Sequence, residues 1–251
     1  MALLQKVVAQ CDATLRISEI ADWDNALNGL QIENSGKVTK IGAAVDASTQ
    51  TLQMASERNV DFLIVHHGLY WQGLQPVTGI LSRQLRLALQ HDVALYSAHL
   101  PLDVHPKLGN NTLLAAAVRL RRATPFLAEK GQLVGVKGSV DKTDNTLFAR
   151  LQKVLGDEVL AFNFGPERPR MIGIVTGAGG SEIYRVAAEG IDTFITGEAP
   201  HWAAVAAQEL GMNLWLGGHY ATETFGVKAL ATYLAKKFRL PFEFIDCPTG
   251  L

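Results

Sequence analysis

Lys40 to Gly68 reads KIGAAVDASTQTLQMASERNVDFLIVHHG, and Met171 to Ala199 reads MIGIVTGAGGSEIYRVAAEGIDTFITGEA. At a constant offset of 131, Ile41 falls on Ile172, Gly42 on Gly173, Ala55 on Val186, Asp61 on Asp192 and Ile64 on Ile195. Each stretch runs apolar strand, turn, amphipathic helix, apolar strand, and then a residue able to bind a ligand, His67 in one and Glu198 in the other. Internal self-similarity of this kind is weighed before any fold is argued. It predicts an α/β protein of two lobes with similar three-layer α/β/α topology, arising from an internal duplication.

The match resumes further on. LQHDVALYSAHLPLD (Leu89 to Asp103) lies over ELGMNLWLGGHYATE (Glu209 to Glu223) at an offset of 120, which places His99 on His219 and Asp103 on Glu223. The change of offset is absorbed by a longer loop around Tyr70 to Gly79. Any two β-α-β units resemble each other to some degree. Topology alone does not supply a histidine followed four residues later by an acid at the same place in both.

Outward from the repeat, further strands are expected at Val93 to Ser97, Leu133 to Val140, Val159 to Phe164, Asn213 to Leu216 and Phe242 to Ile245. Helices are expected over Thr49 to Arg58, Ser82 to Gln90, Asn145 to Val154, Ile183 to Glu189 and Thr224 to Phe238. Strands alternating with helices indicate sheets with covering helices. The first lobe is placed at residues 1–126 and the second at 127–251, with the C-terminal segment packing back on the first.

The chain has 251 residues, 48% hydrophobic and 19% charged, an ordinary globular balance. A formal net charge of −1 provides no long-range field to draw it onto nucleic acid or an anionic membrane. The Arg119, Arg121, Arg122 and Arg168, Arg170 clusters read as solvated faces. The opening stripe Leu3, Leu4, Val7, Val8, Cys11 is interrupted by Gln5, Lys6 and Gln10, so it is a helix and not a secretory core. No apolar run reaches the ~18 residues that a membrane span needs. Cys11 and Cys247 form no metal-type pair and read as reduced thiols, which with the rest makes the cytoplasm the expected location.

Of seven histidines, His66, His67, His99 and His219 each follow an expected strand. Parallel α/β sheets present their ligand crevice at the carboxyl ends of their strands. Neighbouring strand residues point to opposite faces, but at the turn of Gly68 the rings of His66 and His67 can splay around one ion or serve two. Asp103 adds a carboxylate from HLPLD, where Pro101 is expected to prevent an early helix. His219 and Glu223 share a face if a helix starts there.

Imidazoles with carboxylates suit zinc, iron, manganese, cobalt or nickel better than calcium or magnesium. Carboxylates gathered from both lobes call for two cations, each able to activate water. The expected metal ligands are therefore His66, His67, Asp103, His219 and Glu223, in the cleft between the lobes. His99 and Glu198 are the candidates for outer partners or proton-moving groups. His105 and His201 are equally consistent with the cleft or the surface, and His91 is assigned to a helix surface. TGAGGS (Thr176 to Ser181) joins strand to helix without a dinucleotide or P-loop fingerprint. Tyr70, Trp71 and Trp202 are aromatic neighbours of the ligand loops.

DWDNALNGLQ (Asp22 to Gln31), IVHHG (Ile64 to Gly68), HLPLDVHPKLGNN (His99 to Asn111), TGE (Thr196 to Glu198) and GHYATE (Gly218 to Glu223) together carry a resemblance. The chain resembles the bacterial short form of the Nif-three-like dinuclear metal protein family, commonly labelled GTP cyclohydrolase 1 type 2 homologue. The resemblance implies two α/β lobes, two divalent ions on the same five residues, and a ring-shaped homohexamer. It also implies a small-molecule substrate and hydrolysis by a metal-bound hydroxide. The alternatives are a metal carrier or metal-cofactor-modifying protein, and a non-enzymatic interaction scaffold.

Overall fold

The computed structural model describes residues 1–141, 144–156 and 158–251. The chain divides into two compact units, Met1–His105 with Gly226–Cys247, and Pro106–Phe225 with Pro248–Leu251. Both are α/β. Among the described residues, no helix is long and apolar enough to cross a membrane, and both cysteines are free thiols.

In the first unit the order is β1 (Ala2–Leu3), α1 (Leu4–Leu15), β2 (Gly29–Ile32), β3 (Lys37–Val38), β4 (Ile41–Asp46), α2 (Thr49–Glu57), β5 (Phe62–His67), α3 (Gly79–Gln90), β6 (Ala94–Ser97) and α4 (Leu100–Asp103). The second unit begins with α5 (Asn110–Ala117), β7 (Arg121–Glu129), β8 (Gln132–Ser139), α6 (Leu147–Leu155) and β9 (Leu160–Asn163). It continues through β10 (Met171–Val175), α7 (Ile183–Ala188), β11 (Thr193–Thr196), α8 (His201–Leu210) and β12 (Asn213–Leu216). Helix α9 (His219–Phe238) starts in the second unit and ends in the first, where β13 (Phe242–Phe244) follows.

The sheet of the first unit has the order β13-β4-β5-β6-β2, parallel except for β2 at its edge. Strands β4 and β5 are covered on both faces, so they read as unbroken apolar runs and not as alternation. Ala44, Leu63, Val65 and Leu95 on one face pack against Leu52 and Ala55 of α2 and Ala88 of α3. Helix α2 starts where the Ser48 hydroxyl accepts the Thr51 N–H at 3.0 Å, a cap worth about 1 kcal/mol. On α1 the buried Leu4, Val7, Cys11 and Leu15 keep helical spacing, and the Tyr96 hydroxyl donates to Asp12 at 2.7 Å, tying this helix to β6.

The second unit holds a sheet of order β7-β8-β10-β11-β12-β9, with β10, β11 and β12 parallel. Phe194 and Leu214 point into a core with Ile183, Val186, Ala203 and Ala207 of α7 and α8. Ile172, Ile174, Ile195 and Trp215 point the other way, against Leu114 of α5 and Leu147 and Leu151 of α6. The period-two alternation of the strands thus fills two cores at once.

Three expectations are corrected. The division between units falls at His105 and Pro106, because α5 belongs to the core of the second unit through Leu114 and Ala115. Pro101 does not prevent a helix: α4 starts at Leu100, with proline in the first turn where its missing N–H costs nothing. The third concerns the repeat. Register agrees for the first strand pair, Ile41 facing Phe62 as Ile172 faces Thr193. In the next pair Phe62 faces Ala94 while Thr193 faces Asn213. The strands are therefore one residue out of step with the sequence alignment, and His99 stands where Gly218 does. His99 precedes α4 as its N-cap, whereas His219 is already inside α9.

Candidate metal centre

His66 and His67 end β5, at the carboxyl edge of the first unit's parallel strands. One nitrogen from each of His66, His67 and His99 lies within 4.8 Å of the others. What holds each ring decides which nitrogen this is. The Nδ1 of fully buried His66 lies 2.8 Å from the Ala98 carbonyl, an obligate acceptor, so Nδ1 carries the hydrogen and Nε2 the lone pair. His67 donates from Nδ1 to Asp46 at 2.8 Å, and His99 from Nδ1 to Asp22 at 3.0 Å. Asp103 at the end of α4 comes within 3.4 Å of His66 Nε2.

Asp22 and Asn28 explain the DWDNALNGLQ motif. Asp22 also accepts the Leu100 N–H at 2.9 Å and the Asn28 amide at 2.8 Å, while the Asn28 oxygen accepts the His99 N–H at 2.7 Å. Burial acts to raise the pKa of Asp22. The hydrogen bond and charge of His99, with Asn28 and Leu100, outweigh it and hold the carboxyl below its ordinary value. Gln31 accepts the Leu69 N–H at 2.8 Å, fixing the turn that follows His67. Trp71 sets its ring edge-on to His99 and His67, at centroid distances of 4.8 and 5.7 Å.

In the second unit, His219 and Glu223 sit one helical turn apart at the start of α9, Nε2 to Oε2 at 3.0 Å. Nδ1 of His219 lies 3.0 Å from Glu198, in the turn that follows β11. Glu223 is buried, and a side chain on Gly177, which has a φ of +67°, would run into its carboxylate and meet His219 Nε2. Burial alone would lower the His219 pKa, but Glu223 and then Glu198 outweigh it and push it up to about 9. A cation arriving at neutral pH must therefore displace a proton from His219. Affinity at this cluster is expected to rise about tenfold per pH unit up to ~9 and then level off. Titrations at two pH values in weakly coordinating buffer measure it, and a flat profile contradicts it.

The donor chemistry fits a transition-metal ion. All four imidazoles are oriented through Nδ1 by a carbonyl or carboxylate, the arrangement that second partners of metal-binding histidines adopt. The five residues read from sequence as ligands fall into these two clusters, and the structure adds His99 to the first. Neither Asp46 nor Asp22 stands out in the sequence as an orienting group. Asp46 carried a usable signal, since it ends the strand beside His67 and pairs with it in register. Asp46→Ala is expected to weaken metal binding roughly 10- to 100-fold while leaving the melting temperature nearly unchanged. Isothermal titration beside a thermal melt checks this. His91 and His201 are exposed, His105 is half-buried in the turn after α4, and Trp202 stacks on Tyr184 at 6.2 Å.

A family model described as Duf34/NIF3 (NGG1p interacting factor 3) matches residues 2–249. The chain is 42% identical over 230 residues to a Deinococcus radiodurans protein named GTP cyclohydrolase 1 type 2 homolog, covering 91% of this chain and 88% of that one. A Pyrococcus abyssi protein of the same name is 39% identical over 250 residues, covering 98% and 99%. Among solved structures, TTHA1606 from Thermus thermophilus is similar with a TM-score of 0.92 and 40% identity, with 100% of both chains covered.

Proposed function

We propose a metal-dependent hydrolytic function for this chain, which belongs to the Duf34/NIF3 (NGG1p interacting factor 3) family. Its metal ligands are His66, His67 and Asp103 from the first unit and His219 and Glu223 from the second, with His99 joining the first set. The observation that carries this reading is the uniform orientation of four imidazoles through Nδ1. A merely structural histidine has no need of that arrangement repeated four times.

Divalent ions held there would lower the pKa of bound water and polarise the bond under attack. The residues themselves divide the remaining work. Asp46, Asp22 and Glu198 keep three rings in one tautomer, and the Ala98 carbonyl does so for His66. Glu198 is 44% exposed at its side chain and already bonded to His219, so it is placed to take up or release a proton as the ring's charge changes. Trp71 walls the imidazole cluster with an apolar ring, which strengthens electrostatic interaction beside it by keeping water away.

The relatives' name, GTP cyclohydrolase 1 type 2 homolog, directs the substrate search to GTP and related heterocycles. Assembly as a homohexamer and a stoichiometry of two ions per chain belong to the same proposal. Elemental analysis of the purified protein is expected to give close to two ions per chain, and His67→Ala clearly fewer. Metal-loaded protein incubated with GTP and other nucleotides is expected to release a ring-opened or hydrolysed product, and Asp103→Ala and Glu223→Ala to lose that turnover. Absence of bound metal would overturn the whole proposal. Turnover that survives both alanine variants would overturn the hydrolytic part.

A further inference from the structure

Asn111 lies in the second unit at the start of α5 and is buried, although it touches neither His219 nor Glu223. Both ends of its amide are engaged. The oxygen accepts the Thr176 N–H at 2.8 Å, and the nitrogen donates to the Val134 carbonyl at 2.8 Å. This side chain therefore fastens the end of β10 and the residue after it to β8.

The loop it fastens is the hub of the His219 cluster. Gly177, next after Thr176, donates its N–H to the Thr222 hydroxyl at 3.1 Å, and that hydroxyl donates to the His219 carbonyl at 3.0 Å. The Gly177 carbonyl accepts the N–H groups of Gly197 at 2.9 Å and Glu198 at 3.0 Å. One short segment thus sets the place of Glu198, which orients the His219 ring, and of Thr222, the neighbour of Glu223. Gly177 also leaves the room that the Glu223 carboxylate occupies.

We propose that Asn111 is a positioning residue for the His219–Glu223 pair, acting through the Thr176–Gly177 segment on the geometry with which that pair binds a metal ion. The inference rests on the metal-binding reading above. A loose supporting shell displaces ligand atoms even when the ligands themselves are intact.

Cobalt(II) titrated into the whole chain, followed by visible absorption, reads affinity and ligand geometry together. Wild type and Glu223→Gln come first. If no cobalt spectrum depends on Glu223, the reading of His219 and Glu223 as ligands fails, and this inference with it. Given such a spectrum, Asn111→Ala is expected to weaken the Glu223-dependent cobalt roughly 10- to 100-fold and to change its band shape. Asn213→Ala is the comparison. Asn213 is as buried as Asn111, at 3% against 2% exposure, but holds Gly165 and Pro166 instead of the ligand loop. It is expected to lower the melting temperature and leave the cobalt spectrum alone.

Asn111→Asp keeps the acceptor for Thr176 but sets a carboxylate oxygen against the Val134 carbonyl, so it is expected to recover only part of the affinity that alanine loses. An unchanged spectrum and affinity in Asn111→Ala, measured well below its melting temperature, would overturn the positioning role. Should the alanine variant not fold, Asn111→Ser, too short to reach Thr176, carries the same expectation.

Discussion

Gly177→Val is expected to weaken metal binding at the proposed His219–Glu223 site by about 100-fold or more, and to destabilise the fold by about 2–3 kcal/mol. Two separate causes combine. Gly177 has a φ of +67°, where a β-branched residue is an outlier. A side chain there would also collide with the Glu223 carboxylate and reach 3.3 Å from His219 Nε2. Glu223 is only 3% exposed and has nowhere to retreat without leaving its partner. Gly190→Val separates the causes, because Gly190 has a similar φ of +72° with nothing within 4 Å of an added carbon. It is expected to show the backbone cost alone, with metal binding intact. Equal metal content in both variants, read by elemental analysis after dialysis, would show that Gly177 does not make room for the ligand.

Phe194→Ala is expected to cost the second unit about 3–5 kcal/mol, which for a unit of this size lowers the melting temperature by about 10–20 °C. Phe194 is fully buried on β11, in the middle of the parallel strands. Its ring packs among Ile183, Val186, Ala203, Ala207 and Leu214. Alanines on α8 approach closely and carry no side chain able to swing into the space vacated, so the cavity would persist. A loss below about 1 kcal/mol in chemical denaturation would mean that this core relaxes freely around β11, contrary to its close packing.

Sequence reading located best what is buried on both sides. Strands β10, β11 and β12 were legible, because a strand between two helical layers has an apolar interior and stops where a turn residue begins. Strand β7 was not legible. Arg121 to Pro125 are exposed on a sheet edge, where no core imposes alternation and the charged pattern resembles a linker, so the unit boundary was placed across it. Strand β2 and the β1–β3 pair escaped for the same reason of brevity and position.

The candidate cluster residues were legible because histidines after apolar strands are unusual, and the residues that orient them were not. Asp22 and Asp46 are ordinary acids in sequence. Only register across β4 and β5, and the fold of the loop before β2, bring them to Nδ1 of His67 and His99. The equivalence of His99 with His219 failed by one residue for a related cause. Sequence alignment rewards identical letters, whereas backbone hydrogen bonding fixes position, and one residue separates a helix cap from the first helical turn.

Asp46 and Gly177 occupy matching positions in the two β-α-β stretches, yet one sends a carboxylate to a ring and the other withdraws to admit a glutamate. The clusters are therefore unlike in their donors, three imidazoles with one acid against one imidazole with its acids. Nitrogen-rich surroundings favour nickel or zinc, and oxygen-rich ones tolerate manganese. If both clusters bind ions as proposed, which elements they take is expected to follow what the surroundings supply, and a preparation from medium holding both manganese and zinc is expected to contain two different elements.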